Sequence, residues 1–83
     1  MKKVFIDARA MAHPEPLEKG IAALRELGDG SYLYMLNRKN PIPLINLARQ
    51  HGFQTFTHED AEQQWHILIS RMRESALQEL LDV

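Results

Sequence analysis

Apolar and polar positions along the chain change period several times, and each change marks an element. The run "KKVFID" (2–7) is short and apolar before a polar break, and Val4 and Phe5 favour an extended strand there. In "PEPLEKGIAALRELGDG", Leu17, Ile21, Leu24 and Leu27 recur at helical spacing and form one face. Glu15 and Glu18 fall in the first turn, where acids suit the helix dipole, and Gly28 and Gly30 are expected to supply the stop. Gly20, inside the helix, weakens it by about 1 kcal/mol relative to alanine, which points to a close packing contact. "SYLYMLN" (31–37) is apolar on both faces and reads as a central strand. "RKNPIP" is a loop whose prolines start a second helix, "PLINLARQHG", closed by Gly52. "FQTFTH" (53–58) and "QWHILISR" (64–71) then flank the acidic turn "EDAEQ", as in a hairpin. Met72, Ala76, Leu77, Leu80 and Leu81 line one face of a last helix, about 72–82.

The order β-α-β-α-β-β predicts an α/β (α+β) two-layer sandwich: a four-stranded mixed sheet, two helices on one face and an extra C-terminal helix. One domain spans 1–83, with its core over about 3–70. The second sheet face has no obvious cover. Phe5, one of Tyr32 and Tyr34, and Phe56 or Trp65 are the residues expected on it. Either the last helix folds across that face or it meets a partner or a second copy, giving a homodimer through the open sheet face.

Composition narrows the function. At 83 residues, with 45% hydrophobic and 25% charged residues, the chain is an ordinary small globular domain rather than a disordered one. Its formal net charge is −1, and Arg38, Lys39, Arg71 and Arg73 are scattered, so no nucleic-acid partner is expected. The opening "MKKVFID" is too short for a signal-peptide core and no stretch approaches a membrane span, which predicts a cytoplasmic protein with no membrane partner. Cysteine is absent, which removes disulfides, thiolate metal sites, thiol nucleophiles and cysteine persulfides.

The chemistry that remains centres on "AMAHPEP". His13 stands at a helix entry, where backbone N–H groups and a positive dipole end would suit an anion, and where an imidazole could also meet a partner, a metal or haem. A ring merely packed beside the prolines is the structural alternative. Pro14 and Pro16, like Pro41 and Pro43 at the second helix, are scaffold, since proline fits a first turn whose N–H lacks a partner. Arg38 and Lys39 give the loop between the "SYLYMLN" strand and the second helix a cationic rim. His58 and His66 would face one another across the hairpin if the register holds, making them and His13 weak metal candidates. His51 near the end of the second helix is expected at the terminal carbonyls. Serines 31, 70 and 75 have no nucleophile motif around them and no phosphate loop is present, so no catalytic residue is assigned, no cofactor is implied and the protein is not expected to be an enzyme.

The first strand, "DARAMAHPEP", the helix, the "GDG" turn and the apolar strand together resemble the TusA/SirA-like sulfur-carrier superfamily over about residues 3–70. Carriers open with a strand, a D-x-R-G-like stretch and Cys-Pro-x-Pro at the start of the first helix. Asp7, Ala8 and Arg9, then His13, Pro14, Glu15 and Pro16, stand at those places. "PEP" and "LNRKNPIPLINLARQHGF" (36–53) bring the chain closer to a cysteine-free branch, a bacterial domain of unknown function. In carriers the cysteine before the first proline accepts sulfur. Imidazole forms no stable persulfide, so His13 excludes that mechanism. What the resemblance implies is a helix start shown to a protein partner. The expected recognition edge is Arg9, His13, Glu15, Arg38 and Lys39 on a non-catalytic interaction module, with small-ligand, metal or haem binding through His13 as the alternative.

Overall fold

The computed structural model describes residues 2–71 together with Leu77 and Leu80. Its elements are β1 (Lys2–Asp7), α1 (Glu15–Glu26), β2 (Ser31–Asn37), α2 (Ile42–Gln50), β3 (Gln54–Glu59) and β4 (Trp65–Ser70). The C-terminal helix expected over about 72–82 lies outside the described residues except at Leu77 and Leu80, which are helical.

The four strands form one mixed sheet in the order β1-β2-β4-β3. β1 and β2 are parallel, joined through α1, with Val4 opposite Leu33 and Ile6 opposite Met35. β4 runs antiparallel to both β2 and β3, so the last strand slots between two strands that precede it. β2 and β4 are therefore central. Their residues facing the helices, Leu33, Met35, Ile67 and Ile69, are completely buried and meet Leu44, Ala48 and Phe53. Leu17, Ile21, Leu24 and Leu27 pack against that cluster, as their spacing predicts.

α1 meets Leu44 of α2 closely at Gly20. A Cβ there would lie 2.5 and 2.8 Å from Leu44 Cδ2 and Cδ1, which accounts for glycine inside a helix. α2 closes at Gly52, whose φ of +83° is the left-handed conformation that glycine adopts without a Cβ penalty. α1 ends differently from the expectation. Leu27 is already extended (φ −73°, ψ 115°), and neither Gly28 nor Gly30 takes a positive φ, so the helix stops without a glycine cap.

The sheet face turned away from α1 and α2 carries Phe5, Tyr34, Leu68 and Phe56 in one cross-strand row. Trp65 is not on it; that ring packs with the helix-side cluster. Burial on this face is uneven. Leu68 and Ser70 are fully buried, whereas Phe5 on the outer strand is 51% exposed. Leu77 is also fully buried.

Candidate functional site

The loops that follow the parallel strands β1 and β2 leave the same end of the sheet, and each leads into a helix. Side by side, these strand-to-helix loops enclose a groove of about 420 Å³. Its walls are apolar, with Met11, Pro16 and Leu17 from one side and Pro41, Pro43 and Leu44 from the other. His13, Arg38 and Lys39 supply its charge and proton-bearing groups, beside Asn37 and Asn40. Three of the five residues expected at a recognition edge thus meet in one hollow, although His13 and Arg38 are far apart in sequence.

Arg9 and Glu15 do not line it. Arg9, two residues beyond β1, is turned back on the last residue of that strand. Its Nε and Nη2 donate to Asp7 Oδ1 and Oδ2 at 2.9 and 2.8 Å, its backbone N–H donates to Oδ1, and Nη1 reaches Gln64 Oε1 at 3.4 Å. Those hydrogen bonds hold the Asp7 carboxyl at about 2, well below its ordinary 3.8. Glu15 occupies the first position of α1 and is exposed.

The prolines shape the groove in a way that limits its chemistry. Pro14 precedes α1 and Pro16 follows one residue later; Pro41 and Pro43 repeat the arrangement at α2. None carries an N–H, and neither helix has a side-chain cap. The Glu15 and Ile42 N–H groups donate to the Ala12 and Asn40 carbonyls, and those of Glu18 and Ile45 to Pro14 and Pro41. The helix starts therefore offer an anion few backbone donors, contrary to what a helix entry at His13 suggests. Its positive character comes from side chains. Asn37 Oδ1 accepts the Arg38 N–H at 2.9 Å, which fixes the base of the cationic loop. Among the described residues, His13 is the only imidazole in the lining and no carboxylate joins it, so from these a metal would find a single nitrogen there.

A second polar cluster lies on the open sheet face. Tyr34 Oη lies 2.6 Å from His66 Nδ1 and His66 Nε2 lies 2.8 Å from Asp60 Oδ2; with the imidazole as its Nε2–H tautomer, the phenol donates to Nδ1 and Nε2–H to the carboxylate. Asp60 Oδ1 also accepts the N–H groups of Glu62 and Gln64, so one carboxylate pins both the hairpin turn and the imidazole. The His66 hydrogen bond, with those from the turn, lowers the Asp60 pKa. Burial, then the Asp60 charge, raises that of Tyr34, so its phenol is kept neutral and is not an activated nucleophile. His58 and His66 do face each other in register, with ring centroids 6.1 Å apart. Yet His66 commits both nitrogens to Tyr34 and Asp60. Among the described residues no group of three His, Asp or Glu side chains is placed to hold a metal ion. Sequence reasoning missed Tyr34 and Asp60 here. The signal available was the alternation of β2, which puts Tyr34 on the open face, and an aspartate opening the turn before His66.

His51 forms the C-cap of α2 through its backbone N–H, bonded to the Leu47 and Ala48 carbonyls. Its side chain lines a separate hollow with Phe53 and with Arg71, whose guanidinium sits 4.4 Å from the Phe53 ring centroid.

A family model described as an uncharacterized conserved protein (DUF2249) matches residues 5–71. Among solved structures, a SirA-like protein from Desulfitobacterium hafniense superposes with a TM-score of 0.67 at 28% identity, covering 78% of this chain and 92% of that one. The fold is thus SirA-like. No curated protein matches the chain. Among the described residues, no helix is long and apolar enough to cross a membrane.

Proposed function

The chain belongs to the uncharacterized conserved DUF2249 family, and from that footing we propose that it is a protein-interaction module which works by binding, not by catalysis. The groove between the starts of α1 and α2 is its docking edge. One observation carries this reading: an apolar, proline-walled hollow of about 420 Å³ whose polar rim is His13, Arg38 and Lys39. Rigid apolar walls bury a partner's side chain without losing conformational entropy of their own, and flanking cations set its orientation and favour an acidic partner surface.

The groove stands at the helix start where the carriers it resembles hold their reactive cysteine. With His13 at that place, the surface can be presented while the sulfur chemistry is gone. Arg9 acts here as a clamp that closes the end of β1, and Glu15 as an exposed helix-start acid; neither is needed for docking.

The test is affinity capture from a lysate of the source cells, comparing wild type with His13→Ala and with Arg38→Glu/Lys39→Glu and identifying the retained proteins by mass spectrometry. A protein held by wild type and lost from both variants is the expected result. Equal capture by all three would remove the groove from consideration. Stoichiometric metal or a haem Soret band in untagged protein, lost in His13→Ala, would replace the reading with ligand binding at His13.

A further inference from the structure

We propose that the outer edge of β1 is a self-recognition surface, through which two copies pair antiparallel about Phe5 to form one continuous eight-stranded sheet. The argument begins with the backbone. Lys2 N–H donates to the Gly30 carbonyl and Ala8 N–H to the Leu36 carbonyl, so the even-numbered residues of this strand turn their N–H and C=O groups toward β2. Lys3, Phe5 and Asp7 therefore turn theirs outward. Among the described residues β1 pairs with β2 alone and ends the sheet.

An antiparallel pair needs residues with outward N–H and C=O groups opposite one another. With Phe5 opposite the second copy's Phe5, Lys3 falls opposite Asp7 and Asp7 opposite Lys3, and all three are pairs of the hydrogen-bonded kind. The same register sets Val4 against Ile6, two β-branched residues, on the helix side of the sheet. A slip by two residues would set Phe5 against Lys3 or against Asp7 and would lose both the Phe5 pair and the two Lys3–Asp7 pairs.

The side chains agree with the backbone. Phe5 is the large apolar side chain of this strand left 51% exposed, and a second Phe5 across the dyad would cover it. Lys3 and Asp7 are both exposed, on the same face as Phe5 and two residues to either side of it. Lysine on an outer strand ordinarily discourages pairing. Here the strand is charge-complementary to its own reverse, so Lys3 meets a carboxylate. Asp7 already accepts from Arg9, and a carboxylate has lone pairs left for an ammonium group. Such an interface is isologous, as a closed dimer requires, and leaves α1 and α2 of both copies on one side of the sheet. Partner docking in the groove is a separate matter that this pairing does not need.

Sedimentation velocity over a concentration series tests it, with circular dichroism confirming that each variant is folded. Wild type should sediment as a concentration-dependent mixture of monomer and dimer below about 1 mM. Lys3→Glu and Asp7→Lys, each alone, should weaken association by about tenfold or more, because like charges then stand opposite twice per dimer. Mixed together, the two variants should recover wild-type association as a heterodimer, since each supplies the charge the other lacks. Phe5→Asp, a change at an exposed side chain, should abolish pairing without unfolding the domain. A wild type that stays monomeric to about 1 mM, a dimer indifferent to these substitutions, or a mixture that fails to associate would each overturn the proposal.

Discussion

Replacing Gly20 by alanine sets helix propensity against packing, and the structure decides the sign. In an exposed helix interior this change stabilises by about 1 kcal/mol, chiefly by removing backbone freedom from the unfolded chain. At Gly20 the new methyl would meet Leu44 Cδ2 at 2.5 Å, Cδ1 at 2.8 Å and Cγ at 3.3 Å. Leu44 is completely buried among Leu33, Met35 and Ala48 and borders the groove, so its isobutyl group makes room only by turning toward the groove and giving up part of that packing. Forcing a methyl into a filled core costs about 1–3 kcal/mol, which outweighs the propensity gain. Gly20→Ala should therefore destabilise by about 1 kcal/mol net, a fall in Tm of about 4–8 °C for a domain of this size.

Urea unfolding followed by Trp65 fluorescence measures it, and a double-mutant cycle identifies the cause. Leu44→Ala alone should cost about 2–5 kcal/mol. In the Gly20→Ala background it should cost at least about 1 kcal/mol less, because the added methyl occupies part of the vacated space. A rise in stability for Gly20→Ala, or strict additivity in the cycle, would refute the close helix contact. The outcome bears on the groove as well, since Leu44 lines it and any shift of that side chain reshapes the wall.

Tyr34→Phe removes the donor to His66 Nδ1 while keeping the ring that packs edge-on against Phe5, so it should cost about 0.5–1.5 kcal/mol in urea unfolding. Asp7 and Asp60 both hold folded pKa values below their ordinary 3.8, so the unfolded chain takes up their protons first. Their contribution is complete above that ordinary value and is lost as pH falls through the folded values; Asp7→Asn should flatten the acid limb of the stability curve between 3.8 and about 2. His13→Cys places a thiol at a helix start beside Arg38 and Lys39; alkylation rates against pH should give a pKa below the ordinary ~8.5, and a value at or above that would mean the rim does not act on position 13.

What could be read from the sequence was local. Paired prolines mark both helix starts, the spacing from Leu17 to Leu27 marks the buried face of α1, and an apolar run on both faces marks β2 as central. Gly20 announced its neighbour, though not which residue. Pairing order was not legible: the Ile67-Leu68-Ile69 run marks β4 as a central strand by the same criterion, but nothing in it says that β2 is the neighbour opposite β3. The Tyr34–His66–Asp60 chain was hidden for the same reason: its members come from two strands and a turn, and only the register joins them. Arg9 shows the opposite error. Beside a family motif it reads as a recognition residue, whereas the carboxylate two positions earlier, at the end of β1, holds its guanidinium.

Both proposed surfaces grow from one stretch of chain, Lys3 to Pro16, and their geometry keeps them from competing. β1 offers its outer edge along its length, while the loop that follows its carboxyl end builds one wall of the groove. Pairing β1 with its own reverse sends the two carboxyl ends in opposite directions. The two grooves then lie at opposite ends of the extended sheet, each with its His13, Arg38 and Lys39 clear of the dyad. On these two proposals a partner docked in one groove would leave the other open, the dimer would be bivalent, and an assembly carrying two copies of the partner would be held more tightly than one groove alone could hold it. The proline-walled helix starts suit that proposed role. They fix the loops, withhold backbone donors and leave recognition to three side chains that a partner can read by charge and shape.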